Sequence, residues 1–133
     1  MKKYELLEDD TITINGGNIK LYRIKACIQL KLRDKTVNKG DLGGYIQCED
    51  NLSHDGNAWI YDNAKVYSSA QVFGDASVYD EAKVYGKAQV HGNTKVYGKA
   101  EVNGDRQIFS NTNIHGDAKL CGTIVLGGDI YNS

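Results

Sequence analysis

Aliphatic residues recur at every sixth position along most of this chain. From Ile60 they run Ile60, Val66, Val72, Val78, Val84, Val90, Val96, Val102, Ile108, Ile114, Leu120 and Leu126, twelve hexads in succession. Two residues before each stands a small residue, usually alanine, and Gly, Asp or Asn fills much of the remaining space. A period of six matches neither the period of a helix nor that of a strand, which excludes a single amphipathic helix and a single long strand. A short strand followed by a corner fits instead. The strand turns the alanine and the aliphatic residue inward, and Gly, Asn and Asp tolerate the bent backbone of the corner. Three hexads close one triangular coil of 18 residues. Successive coils stack at the inter-strand spacing of about 4.8 Å, each burying the face of the next.

The fold class expected is therefore all-β, a parallel β-helix. Residues 42–133 make up about five such coils, and residues 1–41 form an N-terminal β-hairpin cap. In the cap, Thr11–Asn15 alternates as TITIN, Asn15-Gly16-Gly17-Asn18 is a strong turn signal, and alternation resumes from Ile19 to Leu32. A helix over part of Lys25–Leu32 is the alternative there. Traced back from Ile60, the aliphatic phase falls on His54, Cys48 and Leu42, and the alanine phase on Leu52 and Ile46. The first coil is thus expected to be irregular, with its larger apolar residues in the alanine phase. At the other end Ile124 and Ile130 replace alanine, which leaves an apolar last coil.

Composition narrows the function. With 16 Lys and Arg against 17 Asp and Glu the net charge is -1, and there is no basic excess to hold duplex nucleic acid. Mean hydropathy is -0.48. No apolar run is long enough to span a membrane, and the start MKKYELLEDD lacks the apolar core of a secretory signal. A cytoplasmic location is expected. Cys27, Cys48 and Cys121 are an odd number without metal-like spacing and read as free thiols.

Stacking every 18 residues converts the sequence into columns. The outward position after each aliphatic residue gives Tyr61, Tyr79, Tyr97 and His115 in one column. A second holds Tyr67, Tyr85, Asn103 and Cys121, and a third Phe73, His91, Phe109 and Gly127. Rings at that spacing lie within aromatic pairing distance. They can stabilise the stack or be buried between subunits. Alternatively they can stack on a planar ligand such as a base. The position before the aliphatic residue gives a glutamine column, Gln71, Gln89 and Gln107, and a charged one, Lys65, Lys83, Glu101 and Lys119, in which Glu101 can pair with both neighbours. Arg106 breaks the alanine phase. An inward guanidinium must pair, snorkel or sit on a bulge, and at an interface it could contact a ligand. The candidate ligand-binding residues are accordingly Tyr61, Tyr79, Tyr97, His115, Tyr67, Tyr85, His91 and Arg106.

The hexads from Ile46 to Leu126 resemble the left-handed parallel β-helix of the hexapeptide-repeat proteins. Families of that fold include acyltransferases and gamma-class carbonic anhydrases, commonly trimers. LYRIKA at Leu21–Ala26, GDLGGYI at Gly40–Ile46 and LSHDGNAWIYDNAKVY at Leu52–Tyr67 are also similar to a group of small bacterial and phage proteins of the hexapeptide-repeat kind. The resemblance implies left-handed coils and a homotrimer. By analogy with phage proteins that act against host immunity, it suggests an accessory protein that sequesters a nucleotide-like signal or occupies a host immune protein. Enzyme chemistry has less to rest on. His54, His91 and His115 are the only histidines, and they do not share a column. Zinc hydration needs three protein ligands, so no metal is expected. No loop interrupts the hexads to build an acceptor pocket, although His91 or His115 would be the general base of an acyltransferase. No cofactor and no catalytic residue is assigned. A non-enzymatic binding protein is the first expectation, with an acyltransferase or a purely structural oligomeric module as alternatives.

Overall fold

The computed structural model describes residues 2–31, 35–104, 107–121 and 125–132. Its centre is a parallel β-solenoid of about 4 turns. The first face stacks β5 (Leu42–Ile46), β7 (Lys65–Val66), β10 (Lys83–Val84), β13 (Glu101–Asn103) and β15 (Lys119–Cys121). The second stacks β8 (Gln71–Val72) and β11 (Gln89–Val90) on the first half of β14 (Gln107–Gly116). The third stacks β6 (Trp59–Ile60), β9 (Ser77–Val78) and β12 (Lys95–Val96) on the second half of β14. Strands of two or three residues form because each hexad leaves only that much chain between corners. Hydrogen bonds run along the stack, as from Lys65 N–H to Ala82 O (2.9 Å) and from Gln71 N–H to Ala88 O (2.9 Å). The inward column is closed to solvent: Ala64, Val66, Ala70, Ala82, Val84 and Ala88 are all 0% exposed.

The N-terminal segment extends this architecture. β1 (Tyr4–Ile14) and β2 (Ile19–Ala26) pair antiparallel, and β2 pairs antiparallel with β5. The hairpin therefore prolongs the first face of the solenoid as one continuous sheet. Its strand begins at Tyr4, earlier than the alternation from Thr11 suggested, and the residues between Leu7 and Thr11 (Glu8, Asp9, Asp10) are looped out of register. The segment with a helical alternative is not helical: β2 ends at Ala26 and β3 (Leu30–Lys31) pairs with β4 (Thr36–Val37).

Two register readings are corrected. Ile46 lies opposite Val66 and Leu52 opposite Val72, so both occupy the aliphatic phase and not the alanine phase. Eight residues, not six, separate Leu52 from Ile60. The two extra residues are taken up in Ser53–Asn57, and Gly44 becomes the small inward residue. A Cβ there would lie 2.5 Å from Ile60 Cγ2 and 2.6 Å from Ala64 O. The same insertion removes His54 from the inward phase, and the solenoid has about 4 turns where five coils were expected. At the far end β16 (Val125–Asn132) aligns Val125 with Ile108 and Leu126 with Phe109. Leu126 thus leaves the aliphatic phase and takes the place foreseen for Gly127. Ile130 lies opposite Ile114, and His115 opposite Tyr131.

Side chains close the N-terminal end, where no earlier coil supplies partners. Asn51, fully buried, accepts at Oδ1 from the N–H groups of Gln47 and Cys48 (both 3.0 Å) and donates to Ser68 O (3.2 Å) and Ala70 O (2.8 Å). It replaces the backbone donor that a preceding coil would provide. Lys3 does the same at the next strand, its Nζ donating to Ala58 O (2.7 Å) and Gly56 O (3.5 Å). Burial lowers the Lys3 pKa to about 8, against a smaller upward pull from Asp55. The Tyr4 hydroxyl donates to Leu52 O (2.5 Å), and burial, then Glu49, raises its pKa. His54 stacks on the Tyr4 ring at 4.2 Å. Its Nδ1 accepts from Lys3 N–H (3.1 Å), and its Nε2 lies 2.7 Å from Glu49 Oε1. A ring whose Nδ1 accepts carries its proton on Nε2, which makes Nε2 the donor to Glu49. That hydrogen bond, helped by Lys2, holds the Glu49 carboxyl below its ordinary value.

Candidate functional site

The outward columns form on three separate faces. On the third face the hexad register sets Tyr61, Tyr79, Tyr97 and His115 one above another. Tyr79 and Tyr97 are stacked at 4.9 Å with planes 1° apart, and Tyr97 and His115 at 4.9 Å and 5°. Tyr97 thus spends both ring faces on its neighbours. Tyr61 differs: it stands edge-on to Tyr79 at 6.1 Å and 87°. At this break lies Lys35, whose Nζ is 4.6 Å from the Tyr61 centroid and 5.0 Å from that of Tyr79. Both distances are within cation–π range. Lys35 comes from the chain just before β4, and no periodicity points to it. Only the polar, basic character of Arg33–Lys39 marks that segment in the sequence.

On the first face Tyr67 and Tyr85 stack at 5.1 Å and 3°. The hairpin covers this pair. Tyr67 is only 8% exposed and packs with Leu21 and Tyr45, with Ile12, Ile14 and Ile19 around them. Burial raises the Tyr67 pKa, helped by Tyr85 and Glu101. The Tyr85 hydroxyl donates to Glu101 Oε1 (3.1 Å) and accepts from Asn103 Nδ2 (3.1 Å). Glu101, set in register between Lys83 and Lys119, thus takes its hydrogen bond from a phenol. Lys65, opposite Lys83, has a lowered pKa because of burial first and the Lys83 charge second. Arg23 fastens hairpin to coil, donating from Nη1 to Gly43 O (2.7 Å) and Asp62 O (2.9 Å), with its Nε 3.3 Å from Asp10 Oδ2.

On the second face His91 stacks on Phe73 at 4.8 Å and 9°, and burial lowers its pKa. The glutamine column is present, with Gln89 Nε2 3.5 Å from Gln71 Oε1. Of the eight candidate residues, then, the fold gathers Tyr61, Tyr79, Tyr97 and His115 into one ladder. It pairs Tyr67 with Tyr85 under the hairpin and sets His91 apart on another face. Arg106 lies outside the described residues.

Among the described residues no group of three or more His, Cys, Asp or Glu could hold a metal ion, and no helix is long and apolar enough to cross a membrane. His54, His91 and His115 each stack on an aromatic neighbour, in three different places. No protein-family model matches the chain, and no curated protein matches its sequence.

Proposed function

We propose that this chain is a non-enzymatic binding protein for a nucleotide-like ligand, taken at the corner formed by Lys35, Tyr61 and Tyr79. The observation that carries this reading is the break in the ladder with an ammonium over it. A nucleotide needs an aromatic face for its base and a cation for its phosphate, and base stacking on one aromatic contributes roughly 1–3 kcal/mol. Below the break the ring faces are engaged with one another, so Tyr97 and His115 act as the support of the corner. The resemblance to the hexapeptide-repeat proteins implies left-handed coils and a homotrimer, and a homotrimer would set this face beside a second subunit. A phage or mobile-element accessory that sequesters such a signal, or occupies a host immune protein, is the setting that suits such a binder.

The test is calorimetric titration with adenosine monophosphate and a cyclic dinucleotide. Lys35→Ala and Tyr61→Ala are each expected to weaken binding about fivefold or more. Lys35→Ala should leave adenosine, which lacks the phosphate, unaffected. Absence of binding by every nucleotide at millimolar concentration refutes the proposal. A second reading, a purely structural oligomeric module, is favoured by the engaged faces of Tyr79, Tyr97 and His115. Mass measurement in solution tests it: a monomer excludes the trimer.

A further inference from the structure

The second face carries a different recess. Leu52 lies opposite Val72, which puts Ser53 one coil above Phe73 in the outward column. In the next two coils of this column the corresponding places hold the rings of Phe73 and His91. Here a serine fills it, and its hydroxyl is turned to the Asp55 N–H (3.0 Å). The result is a shallow depression of about 310 Å³ lined by Asp50, Ser53, Gln71, Val72 and Phe73. On the other side of Phe73 the His91 ring is stacked at 4.8 Å and 9°. The column is thus a stack of rings that stops one ring short, with an empty step where the next ring would lie.

We propose that this recess is a binding site for a planar aromatic ring with a cationic or amino donor edge, such as an amidine or an aminoheterocycle. The ring takes the vacant step and stacks on Phe73, continuing the Phe73–His91 column at the spacing the coils impose. The wall sets the polarity. Among the described residues of the lining Asp50 is the charged one, and a carboxylate accepts paired N–H donors from a planar edge. The Gln71 amide both donates and accepts, and Val72 supplies apolar floor. A phosphate in the recess would face Asp50 with like charge. This separates the site from the Lys35 corner, which lies on another face and carries a cation.

The test uses isotope-labelled full-length chain and two probes of one shape and opposite charge, benzamidine and benzoate, followed by NMR. Benzamidine is expected to shift the Phe73 and His91 ring signals and the Ser53 N–H saturably. Benzoate should bind about fivefold more weakly or not at all. Asp50→Asn should remove the difference between the probes. Ser53→Leu should fill the recess and abolish the shifts while leaving the melting temperature in place. Phe73→Leu provides a second variant if Ser53→Leu fails to fold, and should weaken benzamidine about fivefold or more. Equal binding of benzoate, unchanged binding in Ser53→Leu or Phe73→Leu, or shifts centred on Tyr61 and Lys35 would each overturn the proposal.

Discussion

Asn51→Ala should be among the most damaging single substitutions in this chain. The side chain makes four hydrogen bonds to backbone groups and is itself fully buried. Alanine matches none of them. Ala70 O, reached at 2.8 Å in a buried setting, becomes an orphaned acceptor, which costs about 1–3 kcal/mol. The other three partners are only partly buried and regain water, at about 0.5 kcal/mol each. The sum is about 3 kcal/mol, a large share of the 5–15 kcal/mol typical of a folded domain. Urea unfolding followed by the fluorescence of Trp59, buried in the same end, reads it directly. The midpoint should fall with the slope unchanged. Asn51→Asp sharpens the test. Its carboxylate keeps the two acceptor bonds but faces Ser68 O and Ala70 O without a proton. Its folded-state pKa should therefore rise, and its stability should be greatest in acid and decline as pH rises. A loss below about 1 kcal/mol for Asn51→Ala would show that the end cap does not depend on this side chain.

Three further outcomes follow from buried groups. Well below pH 8 Lys3 is protonated both folded and unfolded, and folding carries the cost of a buried ammonium. From about 8, its folded pKa, towards 10.5, the unfolded chain holds the proton longer, so stability rises with pH. Above 10.0 the unfolded chain loses the Tyr4 proton first and stability falls again. Thermal melts across this range should show a maximum, and Lys3→Met should remove the rising limb. Thr94 is fully buried in the alanine phase, and among the described residues its Oγ1 has no hydrogen-bond partner, so Thr94→Val should stabilise by about 1 kcal/mol in urea unfolding. Gly44→Ala forces a Cβ to within 2.6 Å of Ala64 O, the acceptor of the Tyr45 N–H. It should destabilise by about 2 kcal/mol, and an unchanged midpoint would contradict the close approach.

The columns were legible because a hexad repeat, once folded into threes, adds up to a fixed register, and the ladder Tyr61–Tyr79–Tyr97–His115 follows from that alone. What could not be read was any departure from six. The two extra residues between Leu52 and Ile60 carry no apolar mark, and the Ile46 and Leu52 phases were misassigned as a result. Near Leu126 two neighbouring apolar residues, Val125 and Leu126, both suit the repeat, and only the pairing with β14 sets their register. Lys35 was invisible for another reason. It reaches the ladder across the sequence from a segment without periodicity, so its place depends on how the β3–β4 excursion lies against the third face. Asn51 falls outside both inward phases of the hexad pattern, and its role comes from the missing coil above it.

The closure of the N-terminal end also bears on the order in which the chain can assemble. Lys3, Tyr4, Asn51 and His54 find their partners among residues no later than Ala70. A chain emerging from the ribosome thus possesses the whole cap before most hexads have been made. Every later coil then needs only to lay two or three residues per face onto an edge already in place, with the register copied from the coil before. Assembly in this scheme is templated from one end, like a crystal growing from a seed, and the seed is encoded in roughly the first half of the sequence.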